Sequence, residues 1–101
     1  MNRQMKDLMA QAQKMQASLT KMQDELALAR IEGGSGPVRA VVNGQGELQD
    51  LKISPGALEG SDASLLEDLV MAAVRDAVAK SREYSASRME TLGLPRMGGL
   101  M

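Results

Sequence analysis

The chain has 101 residues, a formal net charge of −1 and no Cys, His, Phe or Trp. Disulfides, thiolate metal sites and catalysis by an imidazole base are therefore excluded. Aromatic side chains bury the most apolar area per residue. A core of this size built without Phe or Trp favours a homodimer in which two chains share apolar surface.

Composition also limits the class of protein. We expect a single domain over residues 1–92, no enzyme activity, no metal or other cofactor, and no small-molecule substrate. No apolar run approaches the roughly 18 residues that a transmembrane helix requires, and the chain starts with polar residues. The sequence therefore predicts a cytoplasmic protein without a membrane partner.

The first predicted element is one long helix from about Asn2 to Arg30, since neither Gly nor Pro interrupts this segment. Its apolar residues follow a heptad period, which is typical of a coiled-coil-like helix. At ~1.5 Å per residue the helix is about 42 Å long, longer than the roughly 33 Å diameter of a compact globule of this size. A second helix, another chain or both must cover its seam. The larger residues of this heptad seam are Met5, Leu8, Met15, Leu19, Met22 and Leu26.

The same helix carries a basic face, defined here as Arg3, Lys6, Lys14 and Lys21. On a helical wheel these residues fall within roughly 80°, and their mean direction lies about 150° from the seam. One interpretation is a solvated helix surface. The other is a surface that neutralises the phosphates of double-stranded DNA. The sequence pI of 5.4 argues against DNA binding, but residues 1–23 hold four basic residues and one acidic residue.

A change of period after residue 30 predicts a small antiparallel β-meander of two or three strands. "GGSG" at 33–36 is predicted to be a turn, and Val38–Val42 a β-branched strand. "NGQG" at 43–46 is a hairpin signal, and the next strand runs from Glu47 to Ile53. A short strand before the first turn would supply the third.

A second long helix is predicted from Ser61–Ser64 to about Leu92, with Ser64 and Glu67 at capping-box spacing. Its apolar arc is too wide for one small sheet, so we expect it to contact both the sheet and another helix. The composition of residues 93–101 is typical of a disordered tail. Three further candidate DNA-binding residues lie on this helix: Arg75, Arg82 and Arg88.

Three segments carry a resemblance to a known family. They are "LMAQAQKMQASLTKMQDEL" at 8–26, "VRAVVNGQGELQDLKISPGAL" at 38–58 and "LLEDLVMAAVRDAVAKS" at 65–81. In this order and spacing they resemble the YbaB/EbfC family of bacterial nucleoid-associated DNA-binding proteins. The resemblance implies an α+β protomer, a tweezer-like homodimer with projecting helices, and binding of double-stranded DNA with little sequence preference. It also implies association with the nucleoid, organisation or compaction of the chromosome, and an influence on transcription.

Two alternatives from other classes remain open at this point. A prefoldin-like holdase chaperone subunit also combines long helices with a β-hairpin, and it would expose apolar residues at the tips of its helices. The basic outer face of the first helix counts against it. A secreted helical-hairpin adaptor is a third possibility, which the strand segment between the helices disfavours.

Overall fold

The structure is a computed structural model, and it describes residues 2–59 and 62–93. The strands form one antiparallel sheet in the order β1-β2-β3. This confirms the predicted α+β class, including the short strand before the first turn. The elements are α1 (Arg3–Leu28), β1 (Ile31–Ser35), β2 (Val38–Val42), β3 (Leu48–Ile53), a 3₁₀ turn (Pro55–Leu58) and α2 (Ala63–Thr91).

Both long helices begin at a capping side chain. Asn2 Oδ1 accepts a hydrogen bond of 2.8 Å from the N–H three residues later, and Asp62 Oδ1 accepts one of 2.6 Å at the same spacing. Each bond satisfies an N–H that has no partner within its own helix. The predicted capping box of Ser64 and Glu67 is wrong, because Ser64 already lies inside α2. Of the predicted tail, residues 94–101 lie outside the described part of the chain.

The core lies between β2 and α2. Val38, Ala40 and Val42 alternate along β2, so they share one face of the sheet. All three are fully buried, as are Ala73 and Ala77 on the facing side of α2. The core is therefore built from small aliphatic side chains, and it lies over β1 and β2, the strands against which α2 packs.

The glycine-rich segment at the start of the sheet is not the turn that we predicted. Residues 33–35 belong to β1, and the turn falls at residues 36–37. A Cβ on Gly33 would lie 2.3 Å from the backbone N of Ala77. Glycine is required at this position because α2 lies directly on the strand and leaves no room for a side chain.

Asp76 of α2 closes the outer edge of β1. Its Oδ2 accepts hydrogen bonds of 3.0 Å from the N–H of Gly34 and from Nζ of Lys80. The bond from Gly34, and then that from Lys80, holds the pKa of the Asp76 carboxyl below its usual value near 3.8. Unpaired N–H groups on an edge strand invite pairing with other chains. Asp76 therefore ties α2 to the sheet and occupies a group that could otherwise pair.

The turn between β2 and β3 joins the helices to the sheet. The Asn43 side chain is buried, and its Nδ2 donates to the carbonyl of Ala27 at 3.4 Å. The Asn43 carbonyl accepts a bond of 2.8 Å from the Ser81 hydroxyl, and Gly44 N–H donates to the carbonyl of Leu26 at 2.7 Å. A Cβ on Gly44 would lie 2.9 Å from both the Cα and the carbonyl oxygen of Leu26, so only glycine allows this approach. We call these contacts the Asn43 junction.

The close approach of β1 and α2 predicts that Gly33→Ala lowers the free energy of unfolding. The added methyl group forces the helix off the strand, and overpacking of this kind typically costs about 1–3 kcal/mol. The matched control is Gly56→Ala, because a Cβ there meets nothing within 4 Å. Urea unfolding followed by circular dichroism measures both. Equal stability of Gly33→Ala and the parent would contradict the packing of α2 on β1.

The lowered pKa of Asp76 predicts a pH-dependent contribution to stability. A carboxyl whose pKa is lower in the folded state stabilises the fold above its unfolded value near 3.8. That contribution is lost as the pH falls through the lower folded-state pKa. The stability difference between the parent and Asp76→Asn should therefore shrink on acidification below this pH, as measured by urea unfolding across a pH series. A difference that does not change with pH would contradict the role of the charged carboxylate.

Candidate nucleic-acid interface

The N-terminal part of α1 projects as an arm, defined here as residues 3–17. Every residue of the arm is exposed, and buried or half-buried side chains begin only at Ser18. The protein extends 74 Å along its longest axis and 27 Å along the next. This elongation agrees with the prediction that α1 overhangs its own domain.

The heptad seam is covered only near the end of α1. Leu26 is 5% exposed and Met22 is also buried, whereas Leu8 is 64% exposed. Leu19 is half-buried, and Met5 and Met15 are exposed. Within one chain, the arm therefore lacks the cover that a seam requires.

The basic face lies on the side of α1 away from this attachment. Met22 and Leu26 are buried, so their direction on the helical wheel is the one that faces the rest of the domain. Arg3, Lys6, Lys14 and Lys21 are all exposed. They point away from that direction because they lie on the opposite side of the helical wheel. The structure thus brings the four residues together on one outward surface.

The three candidate arginines of α2 lie in two different surroundings. Arg75 and Arg82 are exposed on the polar side of the helix. Arg88 is half-buried and forms an ion pair with Glu25 of α1. Its Nε is buried without a hydrogen-bond partner. Arg88 therefore differs from the other candidates, because its charge already contacts a carboxylate between the two helices.

The position of Arg88 on α2 agrees with this arrangement. Arg88 follows Ser81 by seven residues and therefore lies on the same side of α2. Ser81 is buried and bonded to the Asn43 junction. The heptad spacing of a buried serine and an arginine indicates that Arg88 faces other parts of the protein.

The outer face of the sheet carries charges that sequence analysis did not single out. Arg39 lies 3.8 Å from Glu32, measured from Nε to Oε1. Lys52 pairs with Arg39 across the strands, and Asp50 is its neighbour on β3. Together with Arg30, these residues line a depression. Because two carboxylates lie among its three basic groups, this surface attracts phosphate less than the basic face does.

Two further observations limit the chemistry of residues 2–59 and 62–93. In these ranges no group of three or more acidic side chains is placed to hold a metal ion. Neither long helix is apolar enough over a sufficient length to cross a lipid bilayer.

Comparison with known proteins decides the family. The model of the YbaB/EbfC DNA-binding family matches residues 1–96. The chain belongs to this family. It is 45% identical over 92 residues to a nucleoid-associated protein of Deinococcus radiodurans, an alignment that covers 90% of this chain and 96% of that protein. It is also 49% identical over 92 residues to a nucleoid-associated protein of Cutibacterium acnes, and this alignment covers 86% of each of the two chains.

The fold also matches a solved structure. An uncharacterised protein of Helicobacter pylori superposes with a TM-score of 0.74 at 22% identity, covering 91% of this chain and 97% of that one. At this identity the likeness supports the fold alone.

Family membership confirms the resemblance seen in the sequence and identifies a DNA-binding, nucleoid-associated family rather than a family of enzymes. The exposed apolar side chains near the tip of α1, Met5, Leu8 and Met9, are a feature that we expected of a prefoldin-like chaperone. The family match does not favour that alternative.

Proposed function

We propose that the protein binds double-stranded DNA largely without sequence preference, through the basic face of α1 and the exposed Arg75 and Arg82 of α2. In this role it associates with the nucleoid, organises or compacts the chromosome and influences transcription. The observation that carries the proposal is the exposure of all four residues of the basic face, three of them on the projecting arm, in a chain of a DNA-binding family.

The chemistry of this face suits phosphate better than bases. Lys14 and Lys21 are seven residues apart, about 10 Å along the helix. Each strand of DNA carries one phosphate per 3.4 Å of duplex axis, so such a spacing meets successive parts of the backbone. Contacts to phosphate position a protein on DNA but carry no sequence information. Binding through this face is therefore electrostatic and tolerant of sequence.

We further propose that the DNA-binding unit is a homodimer. Apart from the arm, a second apolar surface is exposed beside α2. Leu51 pairs with Ala40 and, beyond a register shift at Val41/Val42, Leu48 pairs with Val42, so both leucines lie on the face of the sheet that α2 packs against. Both are exposed, however, because α2 lies over β1 and β2 and leaves this part of β3 uncovered.

A residue of α2 extends this uncovered surface. Met71 is exposed, and on the helical wheel it lies on the side of α2 opposite Asp76, which bonds to β1. Met71 therefore lies on the side of α2 away from β1. We call Leu48, Leu51 and Met71 the β3 strip. A second copy that covers the β3 strip and the seam would also supply a second arm, doubling the phosphate contacts.

The proposed dimer predicts that Leu51→Glu dissociates the protein into monomers, because a charge buried in an interface without a partner costs several kcal/mol. The control is Lys52→Glu, since Lys52 is exposed and points to the other face of the sheet. Sedimentation equilibrium should show twice the chain mass of 10.8 kDa for the parent and the control. A parent that sediments as a single chain would refute the dimer.

The basic face predicts that Lys14→Glu combined with Lys21→Glu weakens DNA binding at least tenfold, a cost above ~1.4 kcal/mol. Two phosphate contacts per chain are lost and two repulsions are added, while the buried Met22 and Leu26 remain unchanged. Fluorescence anisotropy with a random-sequence duplex measures the affinity, and circular dichroism checks the fold.

Lys52→Glu again serves as the control and should bind like the parent, because Lys52 lies outside the basic face. If the double variant also binds like the parent, the basic face is only a solvated surface. The chaperone alternative would then have to be tested by suppression of substrate aggregation.

A further inference from the structure

The direction of α1 depends on contacts near its C-terminal end. Residues 3–17 are all exposed, and the carbonyls of Leu26 and Ala27 are bonded to the Asn43 junction. The buried Met22 and Leu26 also lie in the last two turns of the helix, and within one chain a helix held only there can swing about that end. A second point of attachment is needed to set the direction of the arm.

The ion pair between Glu25 and Arg88 supplies that second point. It links α1 to α2 near the last turn of α2, whereas Ser81 links α2 to the Asn43 junction seven residues earlier, about 10 Å along the helix. Both side chains are 38% exposed. The pair is therefore partly desolvated, and its charges are screened less than those of a fully exposed pair.

A small change in the tilt of α1 at Glu25 moves the tip of the arm by a much larger distance. At ~1.5 Å per residue, Lys6 lies about 28 Å from Glu25 along the helix, so a tilt of about 10° displaces it by about 5 Å. This displacement exceeds the 3.4 Å of duplex axis that separates one phosphate of a strand from the next. The direction of α1 therefore decides which phosphates the basic face can reach.

Resting on the proposed DNA binding, the geometry points to Glu25 and Arg88 as positioning residues: their ion pair holds the arm in the direction in which its basic face meets DNA. Arg88 acts through this pair rather than by contacting phosphate. Glu25, an acidic residue, accordingly supports the binding of a polyanion.

Arg88 could contact phosphate or position the arm, and the direction in which one substitution changes DNA affinity separates these two roles. Glu25→Gln removes a negative charge and replaces the ion pair with, at most, a weaker hydrogen bond between a neutral amide and the guanidinium. If Arg88 contacted phosphate, the variant would bind DNA at least as tightly as the parent. If the pair positions the arm, the variant binds about threefold or more weakly, despite its more positive charge. Fluorescence anisotropy with a random-sequence duplex measures the difference.

Asp24→Asn is the matched control, because it removes the same charge from the neighbouring, exposed residue. The control should bind DNA as tightly as the parent or more tightly. The charge reversal of Glu25→Arg with Arg88→Glu restores an ion pair of opposite polarity, and it should recover affinity that Arg88→Glu alone loses. Failure of this rescue would overturn the positioning role.

A distance measurement without DNA tests the arm directly. The chain has no native Cys, so spin labels can be placed at Gln13→Cys on α1 and Ala79→Cys on α2, with labelled chains diluted in unlabelled protein. Glu25→Gln should broaden or shift the distance distribution, whereas Asp24→Asn should not. An unchanged distribution in Glu25→Gln would overturn the inference even if DNA binding is confirmed. Failure of the parent to bind DNA would instead contradict the proposed function.

Discussion

The Asn43 junction is the constraint on which the arrangement of the elements depends. The last carbonyls of a helix have no partners within the helix. Here the β2–β3 turn supplies the missing partners. The N–H of Gly44 donates to the carbonyl of Leu26, and the side-chain amide of Asn43 donates to the carbonyl of Ala27. A buried polar group left unpaired costs about 1–3 kcal/mol, so the turn, the end of α1 and the Ser81 hydroxyl of α2 stabilise one another. Since the arm makes no buried contacts of its own, this junction is where the arm is fixed to the domain.

Small side chains explain both how closely α2 packs on the sheet and why part of the apolar surface stays exposed in a single chain. Gly33 and Ala77 allow α2 to lie directly on β1, which gives a thin core centred on β2. A core of Val and Ala buries less apolar area than an aromatic core of the same length. The uncovered β3 strip and seam are the surfaces on which a second copy would complete the apolar core.

Periodicity in the sequence was sufficient to predict the two helices, the meander and the outward basic face. These features follow from the spacing of apolar residues along the chain, which repeats every 3.5 residues in a coiled coil, 3.6 in a helix and 2 in a strand. The strand role of residues 33–35 could not be predicted, because glycine required by a close helix contact looks the same in sequence as glycine required by a turn. The partners of Asp76 and Arg88 were also missed, since both ion pairs and hydrogen bonds between distant residues depend on how the elements pack. Asn43 was recognised as a turn residue, but its burial against two helices was not.

The uneven distribution of charge explains how a protein with a negative net charge can bind a polyanion. The net charge of −1 averages a basic arm with acidic residues that lie mainly between residues 31 and 70. Salt screens charges beyond about 8–10 Å, so DNA at the arm responds to the local basic face more than to the distant carboxylates. The most direct test is the salt dependence of the parent protein's affinity for random-sequence duplex DNA. With roughly 4 to 8 phosphates neutralised by two arms, log K should fall against log salt with a slope of about −4 to −7. A slope near zero would contradict the account, because binding would then not depend on phosphate contacts.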